Sequence, residues 1–249
     1  QALSVSVTNV NDEPGFSFIS GNVDYAENAG AIIVAPTATV TDPDSANFDG
    51  GRLVVYFSSG GQAEDRIALR NEGIGAGQIG VSGGAVTFGG VLIGSWSGGQ
   101  NGTTPFVVTF NASATPAAVQ SMARNITYQN VSDAPSAAAR SMVAYVEDGD
   151  GSSSPITGGT VTPIPVNDAP VITSNSGGAT GSQGLEENAT FVTIVTVSDP
   201  DGPAAVFSIA GGNDGGKFTI DGSTGVLSFV SAPDFEAPTD LDGNNVYEV

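Results

Sequence analysis

The chain has 249 residues, a length that allows one large domain or two ordinary domains with separate cores. Its 26 acidic and 6 basic residues give a formal net charge of −20, so the surface repels nucleic acid and anionic membranes. The apolar fraction of 39% is too high for a disordered acidic chain. Cysteine and histidine are absent from the sequence, which excludes disulfides, thiolate metal sites and a histidine base. No apolar run approaches the roughly 18 residues of a membrane span, so we expect no membrane insertion.

Short alternating apolar runs, separated by 35 glycines and 14 prolines, predict many short β-strands along the whole chain. In chain order, the alternation predicts strands at residues 3–7, 53–57, 106–110, 143–146 and 218–220. A nearly continuous apolar run at residues 191–197 predicts a buried strand. Only residues 115–125 look helical, with Thr115 as the N-cap and Pro116 in the first turn. The sequence therefore predicts an all-β chain with one short helix.

Three acidic motifs occur twice in the same order, which indicates an internal repeat. The second copies follow the first by 156, 160 and 157 residues. The pairs are Asn-Asp-Glu-Pro at 11–14 with Asn-Asp-Ala-Pro at 167–170, Glu-Asn-Ala at 27–29 and 187–189, and Val-Thr-Asp-Pro-Asp at 40–44 with Val-Ser-Asp-Pro-Asp at 197–201. These offsets place a module boundary near Asp168.

These motifs resemble those of the cadherin-like repeats of large bacterial surface proteins. The resemblance implies tandem antiparallel Ig/cadherin-like β-sandwiches in an extended array, with the helix in the first domain. It implies a final strand of a neighbouring module at 1–11, an enlarged sandwich at 12–168, and a sandwich lacking its last strand at 169–249. It also implies that acids on both sides of each joint share Ca²⁺. The residues that match its ligand motifs are Asn9, Asn11, Asp12, Glu27, Asp42, Asp44, Asn167, Asp168, Glu187, Asp199, Asp201, Asp234 and Glu236.

The chemistry of calcium fits the same residues independently. Ca²⁺ takes about 6–8 oxygen ligands, and Asp outnumbers Glu by 17 to 9 here, as suits tight oxygen-lined loops. Clustered carboxylates repel one another until a cation arrives, so calcium is expected to stiffen the joints. Two other readings stay open: an isolated Asp-Pro-Asp is usually a surface turn, and the acidic surface could be halophilic or solubilising.

Two loops depart from the pattern of the resembled family. The first module is longer than a usual repeat and lacks the Asp-x-Glu motif, so Asp148 and Asp150 are expected as substitute ligands. Asp240, Asp242 and Asn244 fit the first three positions of a calcium loop, but the later glycine and closing glutamate are missing. Whether that loop binds metal is left open by the sequence.

Neither of two enzyme-like motifs is expected to be functional, and we predict that the chain is not an enzyme. Residues 75–80 match a dinucleotide fingerprint, but no helix is predicted after them to meet a phosphate. Residues 80–84 match a nucleophile elbow, but no histidine exists to act as the base.

The two ends of the sequence look complementary. Residues 3–10 resemble the last strand of a module, and residues 245–249 resemble the start of a penultimate strand. One hypothesis is head-to-tail assembly, through copies of the chain or adjacent repeats of one polypeptide; the other is an arbitrary cut from a longer array. An unpaired sheet edge would otherwise invite aggregation.

The leading functional hypothesis is a calcium-stiffened structural or adhesive repeat of a bacterial extracellular adhesin or filament, at the cell surface. The alternative is a carbohydrate-binding module, with a surface polysaccharide as the partner. That alternative depends on Trp96, which is the only tryptophan and could stack on a sugar ring if exposed.

Overall fold

A computed structural model describes residues 3–249, which divide into two compact units: unit 1 ends at Val166, and unit 2 is Asn167–Val249. The strands of unit 1 are β1 Gly15–Ser17, β2 Asn22–Ala26, β3 Ile32–Ile33, β4 Thr39–Thr41, β5 Arg52–Ser59, β6 Asp65–Leu69, β7 Ile79–Ser82, β8 Ala85–Phe88, β9 Val91–Ser97, β10 Phe106–Phe110, β11 Ile126–Asn130, β12 Arg140–Glu147 and β13 Thr157–Ile164; its helix is α1 Pro116–Ala123. The strands of unit 2 are β14 Val171–Ile172, β15 Phe191–Ile194, β16 Val197–Ser198, β17 Phe218–Ile220 and β18 Val226–Phe229, with 3₁₀ turns at Ser174–Ser176 and Gly215–Lys217. Within the described range, every helix is too short or too polar to cross a membrane.

Unit 1 is a sandwich of a large and a small sheet, which confirms the all-β prediction. The large sheet has the order β2-β13-β12-β5-β10-β9-β8-β7, the small sheet has the order β3-β11-β6, and β1 pairs with β4. The expected antiparallel pairing holds for each described pair except β2 with β13, which is parallel. A parallel pair needs a long connection, and β3 to β12 lie between these two strands in sequence.

The core of unit 1 lies between its two sheets. Alternate residues of β12, Met142, Ala144 and Val146, are fully buried, as the period-2 pattern of a half-buried strand requires. From the small sheet, the ring of Tyr128 packs edge-on against Phe57 of the large sheet, with ring centroids 6.0 Å apart. Apolar burial between the sheets thus gives unit 1 its own core.

The predicted helix is confirmed. The Thr115 hydroxyl accepts a hydrogen bond from the backbone N–H of Ala118 (3.3 Å), and Pro116 occupies the first turn. Val119 and Met122 are buried on one face of the helix. Arg124, just after the last turn, donates to the carbonyl of Ala38 (2.8 Å), so the helix is attached near the start of β4.

One strand prediction is wrong, and another segment has no strand partner within the described residues. Residues 3–7 pair with no described strand, and Leu3, Val5 and Val7 are 88%, 77% and 91% exposed. Residues 191–197 are divided between two sheets, since β15 pairs with β18 whereas β16 pairs with β14. Phe191 and Ile194 are about half exposed, so this run is not a buried strand. Apolar alternation makes a strand only where a partner edge is present, and the local sequence does not report the partner.

The internal repeat is visible in the structure of each unit. In unit 1, β1 pairs with β4, and in unit 2 the corresponding β14 pairs with β16, both antiparallel. A hydroxyl pair bridges each of these strand pairs, Ser17 with Thr39 (2.7 Å) and Thr173 with Thr196 (2.9 Å). The two Glu-Asn motifs also share one backbone conformation, because both asparagines have a positive φ, 60° and 63°.

Candidate metal centres

The loops after β4 and β12 of unit 1 bring together most of its predicted ligands, in a group that we call the first acidic cluster. Its members are Asn9, Asn11, Asp12, Asp42, Asp44, Asp148 and Asp150. A chain of hydrogen bonds connects them: Asn9 donates to Asp44 (2.8 Å), Asn11 donates to Asp148 (2.9 Å), and Ser45 donates to both Asp42 and Asp150. The sequence analysis did not identify Ser45 or Ser152, which also bonds Asn11. No hydrogen bond from Arg or Lys reaches these carboxylates within the described chain.

Asp148 organises its own loop. Its side chain is fully buried, and Oδ1 accepts the backbone N–H groups of Asp150, Gly151 and Ser152 at 2.8–3.1 Å. Burial by itself raises the pKa of Asp148, but these bonds and the one from Asn11 outweigh it and lower the pKa. Gly149 has φ +90°, and a β-carbon there would lie 2.0 Å from the Asp49 carbonyl oxygen, so the turn requires glycine. The loop therefore holds Asp148 as a charged carboxylate.

Asp42 has one oxygen with hydrogen-bond donors and one without. Oδ1 accepts the backbone N–H groups of Asp44 (3.1 Å) and Ser45 (2.7 Å), which folds the Asp-Pro-Asp turn. Oδ2 is buried and has no hydrogen-bond partner among the described residues. A buried, unpartnered carboxylate oxygen is costly unless another group satisfies it. A cation is suited to that role in a group made mainly of carboxylates.

Glu27 shows the same feature elsewhere in unit 1. Its side chain is 5% exposed, and Oε2 accepts the backbone N–H of Val166 (2.7 Å) just beyond β13. Its own N–H donates to the carbonyl of Ile164 (3.0 Å), and Oε1 is buried without a partner. Glu27 is thus fixed beside the last residues of unit 1 with one oxygen free to ligate.

In unit 2, the linker residues repeat a contact of unit 1. The backbone N–H of Asp168 donates to Asp201 (3.1 Å), as that of Asp12 donates to Asp44 (3.4 Å). Asp199 accepts the N–H of Gly202 (2.8 Å), and a β-carbon at Gly202 would lie 2.0 Å from its Oδ2. Asn167 turns its side-chain amide to the carbonyl of Asp168 (2.7 Å). The motif therefore folds locally in the same way twice.

Glu187, Asp234 and Glu236 form a second acidic cluster, with carboxylate oxygens within 4.8 Å of one another. The backbone N–H of Phe235 donates to Glu187 (2.9 Å), which connects two motifs far apart in sequence. All three side chains are exposed. The structure thus brings together the Glu-Asn and Asp-x-Glu motifs of unit 2.

Asp240 and Asp242 lie in a separate loop of unit 2. Oδ2 of Asp240 accepts the backbone N–H of Asn244 (2.7 Å), whose side-chain amide donates to Asp242 (2.7 Å). The sequence analysis did not identify Asp214, which is 5% exposed and accepts the N–H groups of Leu241 (2.8 Å) and Glu248 (3.0 Å). No local signal marks Asp214, since its role depends on a loop 26 residues later in the chain.

The other motifs have structural explanations. Residues 75–80 lead into the strand β7, as expected, and residues 83 and 84 form the turn of the β7–β8 hairpin with positive φ values. Trp96 is partly buried, and its ring stacks on Phe106 with centroids 5.7 Å apart. Its indole packs against the core of unit 1, so this contact does not favour the carbohydrate-binding alternative.

No family model matches the chain. A stretch of 91 residues is 31% identical to Halomucin of Haloquadratum walsbyi, covering 26% of this chain and 1% of that protein. Among solved structures, mouse cadherin-23 EC22-24 is 14% identical with a TM-score of 0.35, covering 91% of this chain and 56% of that one. Mouse clustered PcdhgC3 EC1-3 is 16% identical with a TM-score of 0.32, covering 92% and 60%. With TM-scores this low, we draw no conclusion about function from these structures.

Proposed function

We propose that this chain is a calcium-binding, non-enzymatic repeat of an extracellular structural or adhesive protein, of the cadherin-like kind found on bacterial surfaces. In this proposal, Ca²⁺ ions bind at the acidic motifs and order the linker residues that lead into each unit. The observation that carries the proposal is the first acidic cluster, in which hydrogen-bonded acidic residues have no basic partner within the described chain and the buried Oδ2 of Asp42 has no hydrogen-bond partner there.

Electrostatics support a cation at this cluster. Two carboxylates 4 Å apart repel by about 1 kcal/mol in water and about 4 kcal/mol at the effective dielectric near a protein surface. Hydrogen bonds from Asn9, Asn11 and backbone N–H groups relieve part of this repulsion. A hard divalent cation relieves the rest, and oxygen atoms are the ligands that it prefers. Glu27 and the second acidic cluster offer the same chemistry elsewhere.

The repeated motifs support a role as one stretch of a longer array. The internal repeat is present in both sequence and hydrogen bonding, and stacked repeats commonly serve as spacers or adhesive arms. We propose that such an array stiffens when calcium is bound and loosens when it is removed, as an adhesin, filament or biofilm component requires.

We also propose that residues 3–10 of one copy, or of an adjacent repeat, pair head to tail with unit 2. The apolar side chains of Leu3, Val5 and Val7 are exposed on a segment that pairs with no described strand. Unit 2 has a groove of about 770 Å³ lined in part by Val192, Leu227 and other apolar residues. A strand with alternating apolar residues suits such a groove, because β-augmentation adds backbone hydrogen bonds as well as apolar burial.

The substitution Asp42→Asn tests the calcium proposal. Oδ1 keeps both of its hydrogen bonds, so the calcium-free protein should be at least as stable as the unsubstituted one. In about 10 mM Ca²⁺, a site with a dissociation constant of about 0.1–1 mM stabilises unit 1 by about 1.4–2.7 kcal/mol. That is an increase of about 3–10 °C in Tm. We expect Asp42→Asn to remove most of it, measured by Trp96 fluorescence, which reports on unit 1 alone.

Asp133→Asn is the matched control. Asp133 is exposed and precedes the start of β12, whereas Asp148 follows its end. The Asp133→Asn variant should therefore keep the whole calcium-dependent increase in Tm. If the unsubstituted protein melts at the same temperature in calcium and in chelator, the proposal is wrong.

A further inference from the structure

The loop of unit 2 from Asp240 to Asn244 is built differently from the linker motifs, and we call it the 240–244 loop. Asp240 is 8% exposed, whereas Asp242 lies on the surface. Asn244 connects the two: its backbone N–H donates to Asp240 and its side chain to Asp242. Asp240, Asp242 and Asn244 are thus held together in one tight turn.

One oxygen of Asp240 has no donor. Oδ1 is buried and without a hydrogen-bond partner among the described residues. Three neighbouring backbone donors bond elsewhere: the N–H of Leu241 goes to Asp214, that of Val246 to Asn244, and that of Glu248 to Asp214. A buried carboxylate oxygen without a donor indicates that some other group satisfies it.

That group is not a basic side chain. Lys217 is the only basic residue in unit 2, and it makes no ion pair among the described contacts. The carboxylate of Asp240 lies in the same turn as that of Asp242, and Asn244 donates a hydrogen bond to each of them. Two carboxylates in one tight turn, one of them with a buried oxygen that lacks a donor, favour a cation over a neutral water molecule.

We propose that the 240–244 loop binds one Ca²⁺ inside unit 2, at a site separate from the linker motifs. Oδ1 of Asp240 and the carboxylate of Asp242 are its side-chain ligands, and Asn244, which bonds to both residues, positions them. Asp214 is a positioning residue, because its two oxygens hold the N–H groups of Leu241 and Glu248 on either side of the site. Both this site and the acidic clusters use calcium, but neither needs the other.

The site has a structural consequence for unit 2. Tyr247 follows the loop, and its ring packs edge-on against Phe229 (centroids 5.0 Å apart) and Phe218 (6.4 Å). These two phenylalanines and Leu227 are the buried residues of this core. A bound ion that orders the loop therefore holds Tyr247 over a small core, and unit 2 should lose stability when calcium is removed.

Terbium luminescence tests the proposal with a built-in reporter. Tb³⁺ occupies calcium sites and emits when a nearby tyrosine is excited. The Tyr247 hydroxyl accepts the N–H of Thr239 (3.2 Å), the residue before Asp240, and Tyr247 is the only tyrosine in unit 2. The full chain should show a calcium-competed emission that Tyr247→Phe lowers without reducing the number of Ca²⁺ ions bound in native mass spectrometry.

The ligand variants complete the test. Asp242→Asn and Asp240→Asn should each raise the Tb³⁺ concentration that gives half of the Tyr247-dependent emission by at least about tenfold. Each variant should also bind one Ca²⁺ fewer. Asp221→Asn, the same change at an exposed turn of unit 2, should do neither. Because Asp242 is exposed, its variant should keep the folded circular dichroism spectrum even if the Asp240 variant does not.

Two results would overturn this inference. One is an emission equal in the unsubstituted and Tyr247→Phe chains; the other is an unchanged calcium count in Asp242→Asn. Asp42→Asn separates this inference from the proposed function, since it should remove an ion from unit 1 while leaving the Tyr247-dependent emission intact. Loss of one signal without the other shows which of the two proposals fails.

Discussion

A buried ion pair connects the two sheets of unit 1, and its removal gives the largest stability effect that we predict. Asp65 is completely buried in the small sheet, and Arg140, at the start of β12 in the large sheet, is 1% exposed. The Arg140 Nε donates to Asp65 (3.2 Å), which also accepts from Tyr128 (2.6 Å), Asn130 (2.7 Å) and the backbone N–H of Gln62 (2.7 Å). The substitution Arg140→Met keeps most of the side-chain volume but leaves the carboxylate without its cation.

The expected loss follows from the partners that remain. Breaking a buried ion pair by removing one partner typically costs about 3–5 kcal/mol, because it leaves an uncompensated charge. Three donors to Asp65 survive the substitution, so we expect the lower end, about 3 kcal/mol. For a unit of this size that corresponds to a decrease of about 6–12 °C in Tm. The double variant Asp65→Asn/Arg140→Met removes the stranded charge and should be more stable than Arg140→Met.

Denaturant unfolding followed by Trp96 fluorescence measures this loss in unit 1 alone. Arg52→Met is the matched control, because the Arg52–Glu147 pair is exposed and such pairs contribute about 1 kcal/mol or less. If Arg140→Met lowers the free energy of unfolding of unit 1 by no more than Arg52→Met does, the buried ion pair does not stabilise the packing of the two sheets.

Two further predictions concern acid stability and assembly. The N–H of Ile79 and the Arg70 guanidinium lower the pKa of Glu72 from its usual value of about 4.3. Its stabilising contribution is therefore present above about pH 4.3 and is lost as pH falls through the lowered folded-state pKa. Glu72→Gln should therefore reduce the loss of stability of unit 1 at acid pH, measured by Trp96 fluorescence. If the variant loses as much stability as the unsubstituted protein, the prediction is wrong. Deleting residues 3–10 should reduce concentration-dependent association in sedimentation velocity, and equal association with and without the segment contradicts head-to-tail pairing.

The sequence predicted those elements whose cause is local. The alternation at residues 106–110 matches β10, and the cap at Thr115 with Pro116 predicted α1, because both patterns depend on neighbours within one or two turns. The repeated acidic motifs were also recognisable, since each folds through hydrogen bonds to its own backbone, as Asp42 and Asp199 do.

Tertiary structure decided which of these acids are buried and what they face. The sequence presents Asp148 and Asp150 alike, but only Asp148 is buried and bonded to Asn11, 137 residues away. The sequence also gives no indication that Asp214 holds the 240–244 loop, or that Glu27 contacts Val166. Strand partners and the burial of a carboxylate depend on residues distant in the chain, whereas sequence periodicity reports only which face a side chain occupies.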